Sequence, residues 1–60
     1  MPVVEVYMWA GRSREQKKNI IKGITGVFVK EGVPAEAVTV ILHDIEKGDW
    51  GTAGKPADEA

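Results

Sequence analysis

Pro2 holds the most chemical potential in this chain, provided that Met1 is removed. A small second residue such as proline permits that removal in the cytoplasm. It would leave a free secondary amine on a rigid ring at the mouth of a strand. An α-amino group titrates at about pH 7.7–8.0, close enough to neutrality to serve as a base. A prolyl amine is intrinsically more basic, so burial or a neighbouring cation has to lower its pKa. Against this stands a plain role: proline is an ordinary residue with which to begin an edge strand, where its missing N–H does no harm. On the Met1-Pro2 dipeptide alone the plain role is the commoner one.

Arg12 and Arg14 flank Ser13, a residue suited to start a helix. Cations at a helix N-terminus oppose its dipole by ~0.3–1 kcal/mol, which leaves room for another use. A positive helix end, free N–H groups and an arginine together make an anion site. Arg14 reads as a solvated surface residue. For Arg12 the two readings weigh equally, because its turn adjoins the C-terminal end of the first strand. Trp50 lies in a glycine-rich segment that offers it little cover, so its ring is either an oligomer contact, the commoner reason, or the wall of a pocket. Trp9 could line the same pocket, with core packing as its plain role. His43 ends a strand and is assigned no role. Glu5, Asp44, Glu46 and Asp49 form no spaced carboxylate pair, and no metal-ligand set appears.

The elements that must position these residues follow from periodicity. Pro2 to Trp9 reads as a strand with Val4, Val6 and Met8 on one face and Val3, Glu5, Tyr7 and Trp9 on the other. Ala10-Gly11-Arg12 is a turn, and Ser13 with Gln16 has the pattern of a capping box. From Ser13 to about Glu31 the period is helical, with an apolar stripe of Ile20, Ile21, Ile24, Val27 and Phe28. Gly23 and Gly26 interrupt it at a cost of roughly 1 kcal/mol each, which suggests a close approach to a sheet. Gly32 and Val33-Pro34 end the helix. Val38 to His43 is the clearest strand, and its near-continuous apolar character suits cover on both faces. Lys47-Gly48-Asp49 is a turn, Trp50 to Lys55 could form a short hairpin or an interface arm, and Lys55 to Ala60 is expected to fray.

Strand, helix, strand is a βαβ unit of the α/β (α+β) class, with parallel strands and a right-handed crossover. The whole chain, residues 1–60, is expected to be one domain. With 60 residues the core alone supplies little more than ~3–5 kcal/mol, so small folds lean on disulfides, metals or oligomerisation. There is no cysteine and only one histidine, which leaves oligomerisation. Two copies could pair their sheets into four strands carrying two helices, removing an edge from each. The net charge of −1 provides no field for a nucleic-acid backbone. No basic leader precedes an apolar core, and no apolar run approaches the ~20 residues of a membrane span. A soluble, cytoplasmic protein with no membrane or nucleic-acid partner is expected.

Met1-Pro2 opening a strand, the segment Gly11 to Lys17, and Lys47-Gly48-Asp49-Trp50-Gly51-Thr52-Ala53-Gly54 together resemble the 4-oxalocrotonate tautomerase family. The resemblance covers almost the whole chain; its specificity lies in the order and spacing of the three segments. It implies an isomerase without a cofactor or metal. Pro2 would be the general base, Arg12 would bind a substrate carboxylate, and Trp50 would form an apolar wall where phenylalanine is more usual. It also implies trimers of βαβ dimers, that is, a homohexamer with sites built across subunit boundaries. One departure stands out: Thr39 occupies the position of an arginine that helps polarise the substrate in well-studied members. A threonine hydroxyl donates a neutral hydrogen bond, weaker than an arginine's.

The expected activity is enol–keto tautomerisation of a 2-hydroxy dienoate to a 2-oxo acid, with Trp9, Thr39 and Trp50 lining the site beside Arg12. Two rivals remain. One is hydration of an unsaturated acid on the same scaffold, as in hydratase-like dehalogenases, which needs a water-activating partner not evident beside Pro2. The other is a non-enzymatic assembly domain in which Pro2 and Trp50 only pack.

Overall fold

Alternating side chains in Val3–Trp9 (β1) and Thr39–Ile45 (β2) build a two-stranded parallel sheet. The computed structural model describes residues 1–59. Val3 pairs with Thr39, Glu5 with Ile41, Tyr7 with His43 and Trp9 with Ile45. Partners in a parallel ladder share a face, so these eight residues form one surface. Val4, Val6, Met8, Val40, Leu42 and Asp44 form the other, which lies under the helix. The second strand runs past His43 to Ile45, whose carbonyl accepts from the amide of Ala10 at 2.8 Å.

The helix Arg14–Lys30 (α1) begins as its capping residues dictate. Gln16 N–H donates to Ser13 Oγ at 3.1 Å, and Ser13 N–H donates back to Gln16 Oε1 at 3.0 Å. It ends in a Schellman turn: Gly32 N–H reaches Val29 O and Val33 N–H reaches Phe28 O, both at 3.0 Å, with Gly32 at φ 92. Ile20, Ile24 and Phe28 are half-buried, an i, i+4, i+8 row. Ile21 and Val27, expected in the same stripe, are 39% and 61% exposed. Two strands are too narrow to cover more of the helix. A Cβ on Gly23 or Gly26 would meet nothing within 4 Å, so close approach to the sheet does not explain these glycines. Lys17 on α1 pairs with Asp44 on β2, tying the helix to the sheet.

A turn of 3-10 helix, Ala35–Ala37, leads into β2, and another, Lys47–Asp49, leads out of it. Gly51–Thr52 (β3) and Lys55–Pro56 (β4) then form an antiparallel hairpin in a separate sheet. Fraying from Lys55 is not what the structure has. Lys55–Pro56 is a strand, and Ala57 N–H donates to the carbonyls of Lys47 at 3.0 Å and Trp50 at 2.8 Å. The satisfied backbone of the hairpin outweighs the polar composition that suggested a loose end. Ala60 lies outside the described residues.

The subunit is far from self-sufficient. Among the described hydrophobic residues only Met8 is buried, while Val3, Tyr7, Trp9 and Ile41 on the open sheet face are 40% exposed or more. The accessible surface is 4700 Å², against roughly 3,800 Å² for a compact monomer of its mass. The radius of gyration is 14.4 Å, against about 10 Å for a compact chain of this length. The second face of β2 is thus uncovered in the subunit, despite the apolar sequence that suggested cover on both sides. Among the described residues no helix is long and apolar enough to cross a membrane.

Candidate active site

The candidate residues gather at two ends of one strand. At the start of β1, Pro2 is half-buried and its carbonyl accepts the amide of Thr39 at 3.0 Å. Thr39 is exposed on the open sheet face, beside its register partner Val3. Met1 is 91% exposed. Nothing in the anchoring of Pro2 therefore depends on Met1, because the hold runs through the carbonyl and not through the nitrogen.

At the other end, Trp9 closes β1 and Gly11 turns the chain with φ 120, a conformation that costs a residue with a Cβ. This turn brings Arg12 back onto the strand, where its Nη1 donates to the carbonyl of Trp9 at 3.2 Å. Trp50 meets Trp9 edge-on, with ring centroids 5.8 Å apart and planes at 74°. Such T-shaped contacts place the positive edge of one ring against the negative face of the other. Trp50, expected to find little cover, thus finds a partner in its own subunit and is half-buried. The Lys47–Asp49 turn fixes it: Trp50 N–H donates to Lys47 O at 3.2 Å, and Trp50 O accepts from Ala57.

Lys47, to which the sequence reading gave no role, sits on this cluster with Nζ 4.7 Å from the Trp9 ring centroid. Trp9 lies far from it in sequence, so no local spacing signalled the contact. His43 also has company: Nε2 lies 3.0 Å from Glu5 Oε1, and its ring stacks on Tyr7 at 4.4 Å and 7°. Period-two alternation in two parallel strands puts these three residues on one face, but only the register reveals that they touch. A surface concavity lined by Glu15, Lys18, Asn19, Ile21 and Lys22 includes none of the candidate residues.

One subunit cannot bring both ends to a single substrate. The six steps of β1 from Val3 to Trp9 span roughly 20 Å. Pro2 and Thr39 therefore lie at one end of the sheet, and Arg12, Trp9 and Trp50 at the other. Among the described residues β1 pairs only with β2, which leaves its second edge unpaired. Antiparallel pairing of two copies along that edge would bring the Pro2 end of one beside the Arg12 and Trp50 end of the other.

The architecture and the chain together define a tautomerase. The tautomerase enzyme family matches residues 2–59, and the chain belongs to that family. Among its relatives is the 2-hydroxymuconate tautomerase of Comamonas testosteroni, 45% identical over 60 residues, spanning 98% of this chain and 95% of that protein. A structure from the 4-oxalocrotonate tautomerase isozymes of Methylibium petroleiphilum superposes with a TM-score of 0.86 at 36% identity, covering 95% of this chain and 94% of that one. A heterohexameric 4-oxalocrotonate tautomerase from Chloroflexus aurantiacus superposes at 0.87 with 25% identity, covering 98% and 97%. The protein is accordingly an enzyme of the isomerase class, built on the βαβ unit and short hairpin of this family.

Proposed function

We propose that this enzyme, once Met1 is lost, converts 2-hydroxy dienoates to 2-oxo enoates with the Pro2 nitrogen as general base. The amine takes the proton of the 2-hydroxyl. The O–H bond breaks, the carbonyl forms, the remaining double bond shifts along the chain, and the proton is returned to carbon at the far end of the diene. No oxidant, metal or co-substrate enters this balance. Arg12 holds a substrate carboxylate through charge-assisted hydrogen bonds. Trp9 and Trp50 exclude water from the reacting atoms, which strengthens those charge interactions and favours the neutral amine.

The observation that carries this reading is the placement of Pro2 and Arg12 at opposite ends of a strand with a free edge. It calls for a site shared between copies, and further copies stacked on the sheet would cover its open face. We read the working assembly as a homohexamer, a trimer of such dimers. The test pairs mass spectrometry of the mature N-terminus with an ultraviolet assay of 2-hydroxymuconate. Loss of Met1 together with turnover supports the reading; full activity in a protein retaining Met1 overturns it.

A further inference from the structure

The structure assigns Lys47 as a second substrate cation, which grips the distal carboxylate of a dicarboxylic substrate. The inference rests on the reading of Pro2 and Arg12 above and extends it to a residue that reading does not use.

Two cations meet Trp9. Arg12 is bonded to its carbonyl at 3.2 Å, and Lys47 Nζ stands 4.7 Å from its ring centroid. Among the described residues neither has a carboxylate oxygen within 4.0 Å, although Glu46 and Asp49 lie close to Lys47 in sequence. Among the lysines and arginines of the described residues, only Lys17 has such a partner, Asp44. An aromatic face attracts an ammonium, but it does not neutralise it or fill its three donors. The backbone of Lys47 is held, since its carbonyl accepts from Trp50 at 3.2 Å and from Ala57 at 3.0 Å, so one turn sets the root of the Lys47 side chain and the Trp50 wall together.

The need for such a group is set by Thr39. With a neutral hydroxyl at that position, Arg12 is the one guanidinium among the proposed site residues, and a diacid brings two carboxylates. Lys47 supplies the missing charge from the C-terminal turn instead of from β2. A dicarboxylate should therefore depend on Lys47, whereas an enol with one carboxylate and an apolar tail should lay that tail on Trp9 and Trp50 and be indifferent to it.

The experiment compares 2-hydroxymuconate with phenylenolpyruvate in the full-length enzyme, its Lys47→Gln and Lys47→Met variants, and Lys47→Arg. Lys47→Met keeps an apolar stem against the indole, so it reports on charge even where Lys47→Gln disturbs the turn. The expected result is a fall of about 10- to 100-fold in kcat/KM for 2-hydroxymuconate, carried mainly by KM. For phenylenolpyruvate the fall should stay within about twofold, and Lys47→Arg should restore most of the dicarboxylate activity. Equal losses on both substrates, with a displaced pH–rate profile, would mean that Lys47 acts on the Pro2 amine, and the assignment would be wrong. No loss on either substrate would also overturn it. A wild-type enzyme unaffected by retention of Met1 would instead remove the Pro2 reading, a result that the Lys47 variants by themselves cannot produce.

Discussion

The amide of Thr39 donates to the carbonyl of Pro2 at 3.0 Å, so the proposed base and the position lacking an arginine occupy one end of the sheet. Thr39 shares the open face with Ile41 and His43, as the register with Val3, Glu5 and Tyr7 requires. A Thr39→Arg side chain would start beside Pro2 and carry a permanent charge. It should raise kcat/KM for 2-hydroxymuconate more than for phenylenolpyruvate, because only the former has a second carboxylate to meet it. Equal changes for both substrates would separate this position from substrate choice.

In the proposed reaction the nitrogen of Pro2 is the atom on which the chemistry turns. Pro2→Ala leaves a primary amine without the rigid ring, and a protein retaining Met1 has no free amine there at all. Turnover should fall by about 100-fold or more in both, the usual worth of a general base. The assembly should survive, since the backbone bond from Thr39 uses the carbonyl of residue 2. Sedimentation run beside the assay separates loss of chemistry from loss of structure.

Among the described residues Arg12 makes one hydrogen bond, to Trp9 O, and a guanidinium has five N–H donors. Arg12→Ala should raise KM for every carboxylate substrate by about 10- to 100-fold, since a hydrogen bond to a charged group is worth ~1.5–3 kcal/mol. Substrate saturation curves with a mono- and a dicarboxylate check this. A change confined to the dicarboxylate would show that Arg12 addresses only a distal group.

Much of this could be read from residue order. Ser13 with Gln16 announced the helix start, Gly32 its end, and alternation in Val3–Trp9 assigned each side chain to a face. These are local effects, decided within one turn of the residue concerned. What local pattern could not supply was contact between distant segments. That Lys47 rests on Trp9 and that His43 stacks on Tyr7 both depend on register and tertiary placement. The separation of Pro2 from Arg12 was implicit in the length of β1. It took the fold to show that the turn at Gly11 leaves Arg12 on its own end of the strand, so the chain does not close the gap by itself.

The tip of the hairpin offers a test of stability that leaves the site alone. Ala53 has φ 55 and Gly54 φ 81, the positive pair of a two-residue hairpin loop. A left-handed conformation costs an alanine roughly 1–2 kcal/mol, and asparagine tolerates it better. Ala53→Asn should therefore stabilise the protein by about 0.5–1 kcal/mol. In a chain this short that is a rise of a few degrees in Tm, roughly 2–8 °C at fixed protein concentration. Calorimetry would detect it, and a fall in Tm would show that the loop's strain is relieved elsewhere.

The open sheet face leads to the last expectation. Val3 at 57%, Tyr7 at 59%, Trp9 at 41% and Ile41 at 40% exposure are too much apolar surface for a monomer to leave in water. Covering the free edge of β1 in a dimer does nothing for this face, which needs further copies stacked on it. Sedimentation of the wild-type protein at micromolar concentration should therefore give a species larger than a dimer. Ile41→Glu tests the face directly. Ile41 is the register partner of Glu5, so the new carboxylate would stand beside an existing one, and like charges directly opposite one another destabilise a ladder. His43, already within 3.0 Å of Glu5, can answer at most one of them. The variant should sediment as a dimer while keeping its helical signal in circular dichroism. An unchanged large assembly in Ile41→Glu would place the contact elsewhere, and a folded wild-type monomer would refute the shared site altogether.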